Sequence, residues 1–160
     1  MTARRLAAVL AVAVAFCTAA RADETGLPLP GLGGGELRRA DLEQGSTILV
    51  VWASWSPKCR DIAERVNALS QRWGGRARVV TVNFQEDRQA VEAFVGQRGL
   101  GAPVYLDRDG TFAKRNAVTT LPGLLVFDGG RAVYSGKLPD DPERLLAEIL
   151  GGGAQPGGRH

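Results

Sequence analysis

The chain has 160 residues, of which 44% are hydrophobic and 23% are charged, a balance typical of one globular domain. The formal net charge is +3, but Arg4, Arg5 and Arg21 lie in an N-terminal leader that contains no acid, and 17 basic and 17 acidic residues remain beyond it. The charge balance therefore does not favour nucleic-acid binding. Two cysteines exclude a disulfide-rich scaffold and a four-cysteine zinc site.

Residues 1–22 have the layout of a secretory signal peptide: two arginines, a short apolar run over residues 6–16, and a small-x-small triplet that ends at Ala22. The apolar run is short for a membrane span. We therefore predict cleavage after Ala22 and an exported protein of the periplasm or cell envelope. An uncleaved leader that tethers the chain to a membrane is one alternative, and a lipidated Cys17 is another. Cleavage would leave Cys59 as the only cysteine.

Two segments rich in glycine flank the central part of the chain. Residues 23–35, which also contain prolines, show no hydrophobic periodicity and are predicted to be a flexible linker. Residues 151–160 are predicted to be a disordered tail, and they contain the only histidine, His160. The sequence between them, residues 36–150, is long enough for one modest hydrophobic core.

Apolar runs and helical periodicity alternate along this central sequence. Strands are predicted at residues 48–52, 78–84, 103–106, 123–127 and 131–135. Helices are predicted at residues 57–73, 87–97, 112–116 and 140–150. Because strands separated by helices run parallel, and because Asp128-Gly129-Gly130 signals a tight hairpin, the sheet is predicted to be mixed. The fold class is therefore α/β, with three layers in which helices flank a mixed central sheet.

Two motifs stand out against this order of elements. The first predicted strand leads into WASWSPKCR at residues 52–60, and VTTLPG at residues 118–123 precedes a later strand. Together they resemble the thioredoxin superfamily, and in particular its TlpA-like branch of exported thiol-disulfide oxidoreductases. That branch has W-A-S-W-C-x-x-C-R before a helix and a cis-proline loop before a strand. The resemblance implies a thioredoxin-like fold, a role in thiol-disulfide exchange, and protein thiols or disulfides as partners.

The chain departs from the family pattern at the first cysteine, which is Ser56 here, so that only the second, Cys59, remains. In a CxxC pair the first thiol attacks as a thiolate and the second resolves the mixed disulfide. Ser56 and Cys59 are thus the candidate catalytic residues, with at most one-thiol chemistry through Cys59. A nearby helix N-terminus and the adjacent Lys58 and Arg60 would favour the Cys59 thiolate, whereas burial would oppose it. The glutamate that the family often carries three residues further on is Ile62.

Two other functions fit the same residues. A redox-inactive adaptor would bind an extended peptide of a client protein in a groove. Its predicted lining residues are Trp55, Pro57, Lys58, Thr120, Leu121 and Pro122. A one-cysteine peroxidase would use Ser56-x-x-Cys59 as in peroxiredoxins, although Trp52 stands where their proline belongs. No metal-ligand cluster or phosphate-binding glycine loop is visible, so no metal and no cofactor are predicted. An exposed, acidic Cys59 would indicate an enzyme, and a buried Cys59 an adaptor.

Overall fold

The computed structural model describes residues 25–151, so the leader and the rest of the predicted tail lie outside the described residues. In chain order the elements are β1 (Leu29–Pro30), β2 (Glu36–Leu37), α1 (Arg39–Leu42), β3 (Ser46–Trp52), a 3-10 turn (Pro57–Cys59), α2 (Ile62–Trp73), β4 (Arg78–Phe84), α3 (Arg88–Arg98), β5 (Val104–Asp107), α4 (Thr111–Arg115), β6 (Gly123–Asp128), β7 (Arg131–Lys137) and α5 (Glu143–Gly151).

The central sheet has five strands in the order β5-β4-β3-β6-β7. Strand β3 runs parallel to β4, and β4 runs parallel to β5, because α2 and α3 return the chain to the same end of the sheet. Strand β6 is antiparallel to both β3 and β7. The β6–β7 turn places Gly129 and Gly130 at φ 56° and 82°, which glycine adopts readily. The predicted mixed sheet and α/β class are thereby confirmed.

Strand β3 supplies side chains to a separate core on each face of the sheet, since successive strand residues point to opposite faces. Ile48, Val50 and Trp52 pack in one core with residues of α2, α3 and α5. Leu49 and Val51 pack in the other with residues of α4 and of the segment that precedes β3. These two cores produce the three layers, and they explain why β3 reads as an unbroken apolar run.

The described part of the predicted linker is an ordered arm, which corrects the prediction for residues 23–35. Strand β1 pairs antiparallel with β2, and Gly31 forms a bridge to Tyr105 at the outer edge of β5. Leu27 and Leu29 are buried in the same core as Phe112. Turn-forming glycines and prolines removed the periodicity that would have revealed these two leucines as core residues. We refer to residues 25–37 as the N-terminal arm.

The predicted helix 57–73 is also corrected, because it is divided in two. A 3-10 turn covers Pro57–Cys59, and α2 begins only at Ile62. The turn is closed by an N–H from Cys59 to the carbonyl oxygen of Ser56, at 2.9 Å, which is an i→i−3 bond rather than an α-helical one. The other predicted strands and helices are present with modestly shifted ends.

Candidate functional site

The sheet topology brings three separate chain segments to one edge. Trp52 at the end of β3 pairs with Asn83 near the end of β4, and Val51 pairs with Gly123 at the start of β6. The motif loop (residues 53–61), the loop after β4, and the proline loop (residues 118–122) therefore meet there. The peptide bond between Leu121 and Pro122 is cis.

The thiol of Cys59 lies under the motif loop. Only 1% of the residue is exposed, and it packs in the core with Trp52 and Ile62. Burial raises the pKa of the Cys59 thiol, and this effect outweighs the opposing hydrogen bonds from the Ala53 backbone and the Ser56 side chain and the charge of Arg65. The folded protein therefore holds Cys59 as a protonated thiol at neutral pH.

Ser56 is also buried and belongs to the same loop as this thiol. It is 7% exposed, has extended backbone geometry, and lies directly before the 3-10 turn. Its side chain is close enough to the Cys59 thiol to lower the pKa of that thiol in part. No histidine occurs within residues 25–151, so no imidazole of the described chain is available to activate the Ser56 hydroxyl as a nucleophile.

Glu86 is a site residue that the sequence interpretation missed. Its carboxylate accepts hydrogen bonds from the Ser54 backbone N–H at 2.7 Å and from the Asn83 side-chain amide at 2.5 Å, and also from the Ser54 hydroxyl. Gln85 next to it has φ 53°, a left-handed conformation uncommon for a residue with a side chain. Residues 85–89 look like the polar start of a helix in sequence, and only the parallel pairing of β3 with β4 shows what Glu86 faces.

A groove of about 510 Å³ opens beside the motif loop. Its lining residues are Trp55, Ser56, Pro57, Lys58, Phe84, Ala113, Val118, Thr119, Thr120 and Leu121. Among the predicted site residues, Cys59 and Pro122 do not line it, because both are buried behind its surface. Trp55 is 59% exposed, and the described residues contain only one other exposed large hydrophobic side chain, Val133.

One wall of the groove is helix α4, which carries Ala113. The buried carboxylate of Asp107 accepts hydrogen bonds from the backbone N–H groups of Phe112 at 3.1 Å and Ala113 at 2.9 Å. Desolvation raises the pKa of Asp107 even though these bonds favour the ionised form. From the other end of α4, the Asn116 side chain donates to the carbonyl oxygen of Thr25 in the N-terminal arm, at 3.0 Å. The wall is therefore held by β5 and by the arm.

The sequence profile of the AhpC/TSA family matches residues 19–135. The chain belongs to the AhpC/TSA family. It is 35% identical over 100 residues to the thiol:disulfide interchange protein DsbE of Escherichia coli K12, an alignment that covers 59% of this chain and 51% of DsbE. The chain thus spans about half the length of the curated relatives it matches.

Solved structures of similar proteins agree with the fold of this AhpC/TSA member. The MTB dsbF structure superposes with a TM-score of 0.69 at 19% identity, covering 80% of this chain and 96% of that chain. A secreted Mycobacterium tuberculosis disulfide oxidoreductase, described as homologous to E. coli DsbE, gives 0.66 at 18% identity, covering 81% and 98%. These structures agree in fold, and the AhpC/TSA match together with the similarity to DsbE confirms the predicted thioredoxin superfamily and its TlpA-like branch.

The described residues contain neither a membrane-spanning helix nor a metal-binding cluster. No helix within residues 25–151 is long and apolar enough to cross a bilayer. The same residues bring together no group of three or more histidine, cysteine, aspartate or glutamate side chains that could hold a metal ion.

Proposed function

We propose that this AhpC/TSA-family protein is an exported thioredoxin-fold binding protein that holds an extended peptide of a client protein. The peptide lies in the groove beside Trp55, and the Ser56-x-x-Cys59 motif does not perform dithiol exchange. The observation that carries the proposal is the contrast between a thiol that is 1% exposed and a groove whose aromatic residue is 59% exposed.

The thiol chemistry argues for binding rather than catalysis. With Ser56 at the attacking position, no disulfide can form within the motif. A one-thiol reaction would require Cys59 to be a thiolate that a partner can reach, since the thiolate is the nucleophile. Burial opposes both conditions, because it raises the pKa of Cys59 and closes access to the sulfur.

The groove supports peptide binding in two ways. Trp55 offers a large rigid surface, and exposed aromatic residues of this kind are common anchors in protein interfaces. Beside it, the N–H of Val118 is bonded to the Ala113 carbonyl oxygen, whereas the N–H groups of Thr119, Thr120 and Leu121 donate to no group of the described chain. Unpaired backbone donors along a groove are what an extended peptide pairs with.

The location outside the cytoplasm is part of the same proposal. The leader layout at residues 1–22 supports export, and one structural neighbour is described as a secreted protein. A periplasmic or cell-envelope location follows for the processed chain. Its clients would then be exported proteins that are still extended.

The test uses an unfolded polypeptide whose cysteines are carboxymethylated, so that no thiol reaction can contribute to binding. We expect the processed protein and its Cys59→Ala variant to bind this probe equally in fluorescence anisotropy, and Trp55→Ala to bind at least tenfold more weakly. Val133→Ala is the matched control, since Val133 is also exposed but lies on β7 outside the groove. A Cys59-dependent mixed disulfide with a reduced client, without binding of the blocked probe, would instead establish one-thiol oxidoreductase activity. Peroxide consumption that requires Cys59 would establish the peroxidase.

A further inference from the structure

The groove has a one-sided charge. Among its lining residues, Lys58 is the only one with a charged side chain, and no carboxylate lines it. Lys58 is exposed, and its ammonium group forms no ion pair or hydrogen bond with the described chain. The rest of the lining is apolar or carries a hydroxyl group.

No carboxylate of the described residues is paired with Lys58, and Asp61, the exposed acid of the motif loop, does not line the groove. Lys114 directly follows the lining residue Ala113, is exposed, and likewise has no ion-pair partner in the described range. Two carboxylates near the groove walls are already engaged. Glu86 accepts hydrogen bonds from Ser54 and Asn83, and Asp107 is buried under the N-terminal end of α4. The Lys58 ammonium group therefore remains available to an occupant that brings its own negative charge, and Lys114 adds positive charge to the helix that forms one wall.

We propose that the groove selects acidic-apolar peptide segments, in which an apolar side chain is followed within a few residues by aspartate or glutamate. This inference rests on the proposed peptide-binding function and names the class of peptide. The apolar side chain packs against Trp55 and Leu121, and the carboxylate is paired by Lys58. The hydroxyl groups of Thr119 and Thr120, both on exposed residues of the lining, are further donors for the same carboxylate.

The form of the selectivity follows from the residue type. A lysine ammonium is a compact charge on a flexible stem, unlike the planar fork of arginine. It therefore selects the sign of charge over a range of spacings rather than one fixed geometry. Exposed ion pairs are weak and are screened by salt, so we expect a preference of about fivefold at low ionic strength.

The experiment compares two fluorescein-labelled peptides of identical length and apolar sequence that carry either glutamate or lysine at two positions. We expect the processed full chain to bind the glutamate peptide about fivefold more tightly at low salt. The preference should vanish near 1 M salt, where the Debye length is about 3 Å. Lys58→Glu should reverse the preference. Arg144→Glu is the control, because it makes the same charge change on α5, away from the groove. Its neighbour Glu143 lies 3.1 Å from Arg72 at the C-terminal end of α2, and we expect this variant to leave the preference unchanged.

The outcomes separate the two proposals. If both peptides bind equally, or if Lys58→Glu retains the preference for glutamate, the selectivity inference is overturned while peptide binding stands. If neither peptide binds and the carboxymethylated probe does not bind either, the proposed function itself fails. Circular dichroism of Lys58→Glu should match the unmodified protein, because the residue is exposed and supports no other group.

Discussion

The backbone N–H of Ser54 donates a 2.7 Å hydrogen bond to the carboxylate of Glu86, a residue 32 positions later in the chain. The Ser54 hydroxyl donates to the other carboxylate oxygen. The Glu86 side chain therefore holds the motif loop through two groups of Ser54. Asn83 adds a third donor from β4. The motif loop is therefore fastened to the loop after β4 and not only to the strand and helix on either side of it.

Replacing Glu86 should loosen this attachment. We expect Glu86→Ala to lower the free energy of unfolding by about 2 kcal/mol, because the Ser54 and Asn83 donors lose a charged acceptor. Urea denaturation measures the change. Glu92→Ala on α3 is the control, since Glu92 forms only an exposed pair with Arg88 and should change stability by less than about 0.5 kcal/mol. Equal effects of the two substitutions would show that the attachment contributes nothing.

The two tryptophans of the motif should separate binding from stability. Trp52 is fully buried, so we expect Trp52→Ala to destabilise the protein by about 3 kcal/mol or more. Trp55 is mostly exposed, so Trp55→Ala should leave the melting temperature almost unchanged while weakening binding of the carboxymethylated polypeptide. Thermal denaturation and anisotropy on the same preparations measure both quantities. A large loss of stability in Trp55→Ala would contradict the assignment of this side chain to a binding surface.

Ser56→Cys should create disulfide chemistry. The N–H of Cys59 lies 2.9 Å from the Ser56 carbonyl oxygen, so a thiol at position 56 would be one tight turn away from the Cys59 thiol. We expect the variant to form an internal disulfide and to reduce insulin, whereas the natural sequence should not. The double variant Ser56→Cys, Cys59→Ala is the control and should form only mixed disulfides. A folded Ser56→Cys protein that leaves insulin oxidised would show that the surrounding loop, and not the missing thiol alone, prevents exchange.

The buried thiol should make stability depend on pH in the alkaline range. Burial raises the pKa of Cys59 in the folded state above the unfolded value of about 8.5. The folded state thus holds the thiol proton more tightly than the unfolded state does. The stability that protonated Cys59 contributes is complete below about pH 8.5 and declines as the pH rises through the folded pKa. The natural protein should therefore lose its stability advantage over Cys59→Ala above about pH 8.5. Urea titrations of both proteins from neutral to alkaline pH measure this difference, and a constant difference would contradict it.

Alkylation measures the reactivity of the Cys59 thiol independently of stability. Iodoacetamide should label Cys59 slowly in the folded protein and rapidly once urea unfolds it, because the attacking thiolate is both scarce and covered in the native state. Mass spectrometry measures the labelled fraction over time. Rapid native labelling at neutral pH would restore the one-thiol enzyme as the better account.

The N-terminal arm should contribute measurably to stability. Leu29 is buried against the core that contains Phe112, so we expect Leu29→Ala to lower the free energy of unfolding by about 2 kcal/mol. Gly33→Ala in the same segment should be nearly neutral, because an added Cβ meets no atom there. If Leu29→Ala is as mild as Gly33→Ala, the arm is held no better than a linker.

Sequence patterns were sufficient for the sheet because β3 and β4 combine strand-length apolar runs with intervening helical periodicity. Strand β4 occupies its predicted range, Arg78–Phe84, and three turn residues suffice to predict the β6–β7 hairpin. The N-terminal arm could not be predicted in this way. Two of its buried leucines, Leu27 and Leu29, lie among prolines and glycines, and they pack in a core with Phe112, which is distant in sequence.

The groove shows the same limit at the level of the site. Trp55, Lys58 and Leu121 were recognisable because they lie within motifs that resemble a family pattern. Phe84 is the last residue of β4 and Glu86 follows the strand, and nothing local distinguishes them from other residues at a strand end. They reach the site through parallel pairing of β4 with β3, which is a property of the folded sheet.

The N-terminal arm and the wall of the groove share helix α4. The carbonyl oxygen of Thr25 is bonded to Asn116, and a Cβ added at Gly26 would lie 2.8 Å from the Cα of Phe112. Ala113, the next residue, faces the groove. A change at the N-terminus that displaces the arm would therefore act on the groove as well, through α4. A fusion partner placed ahead of the arm is then best joined through a spacer long enough to leave the arm seated on α4.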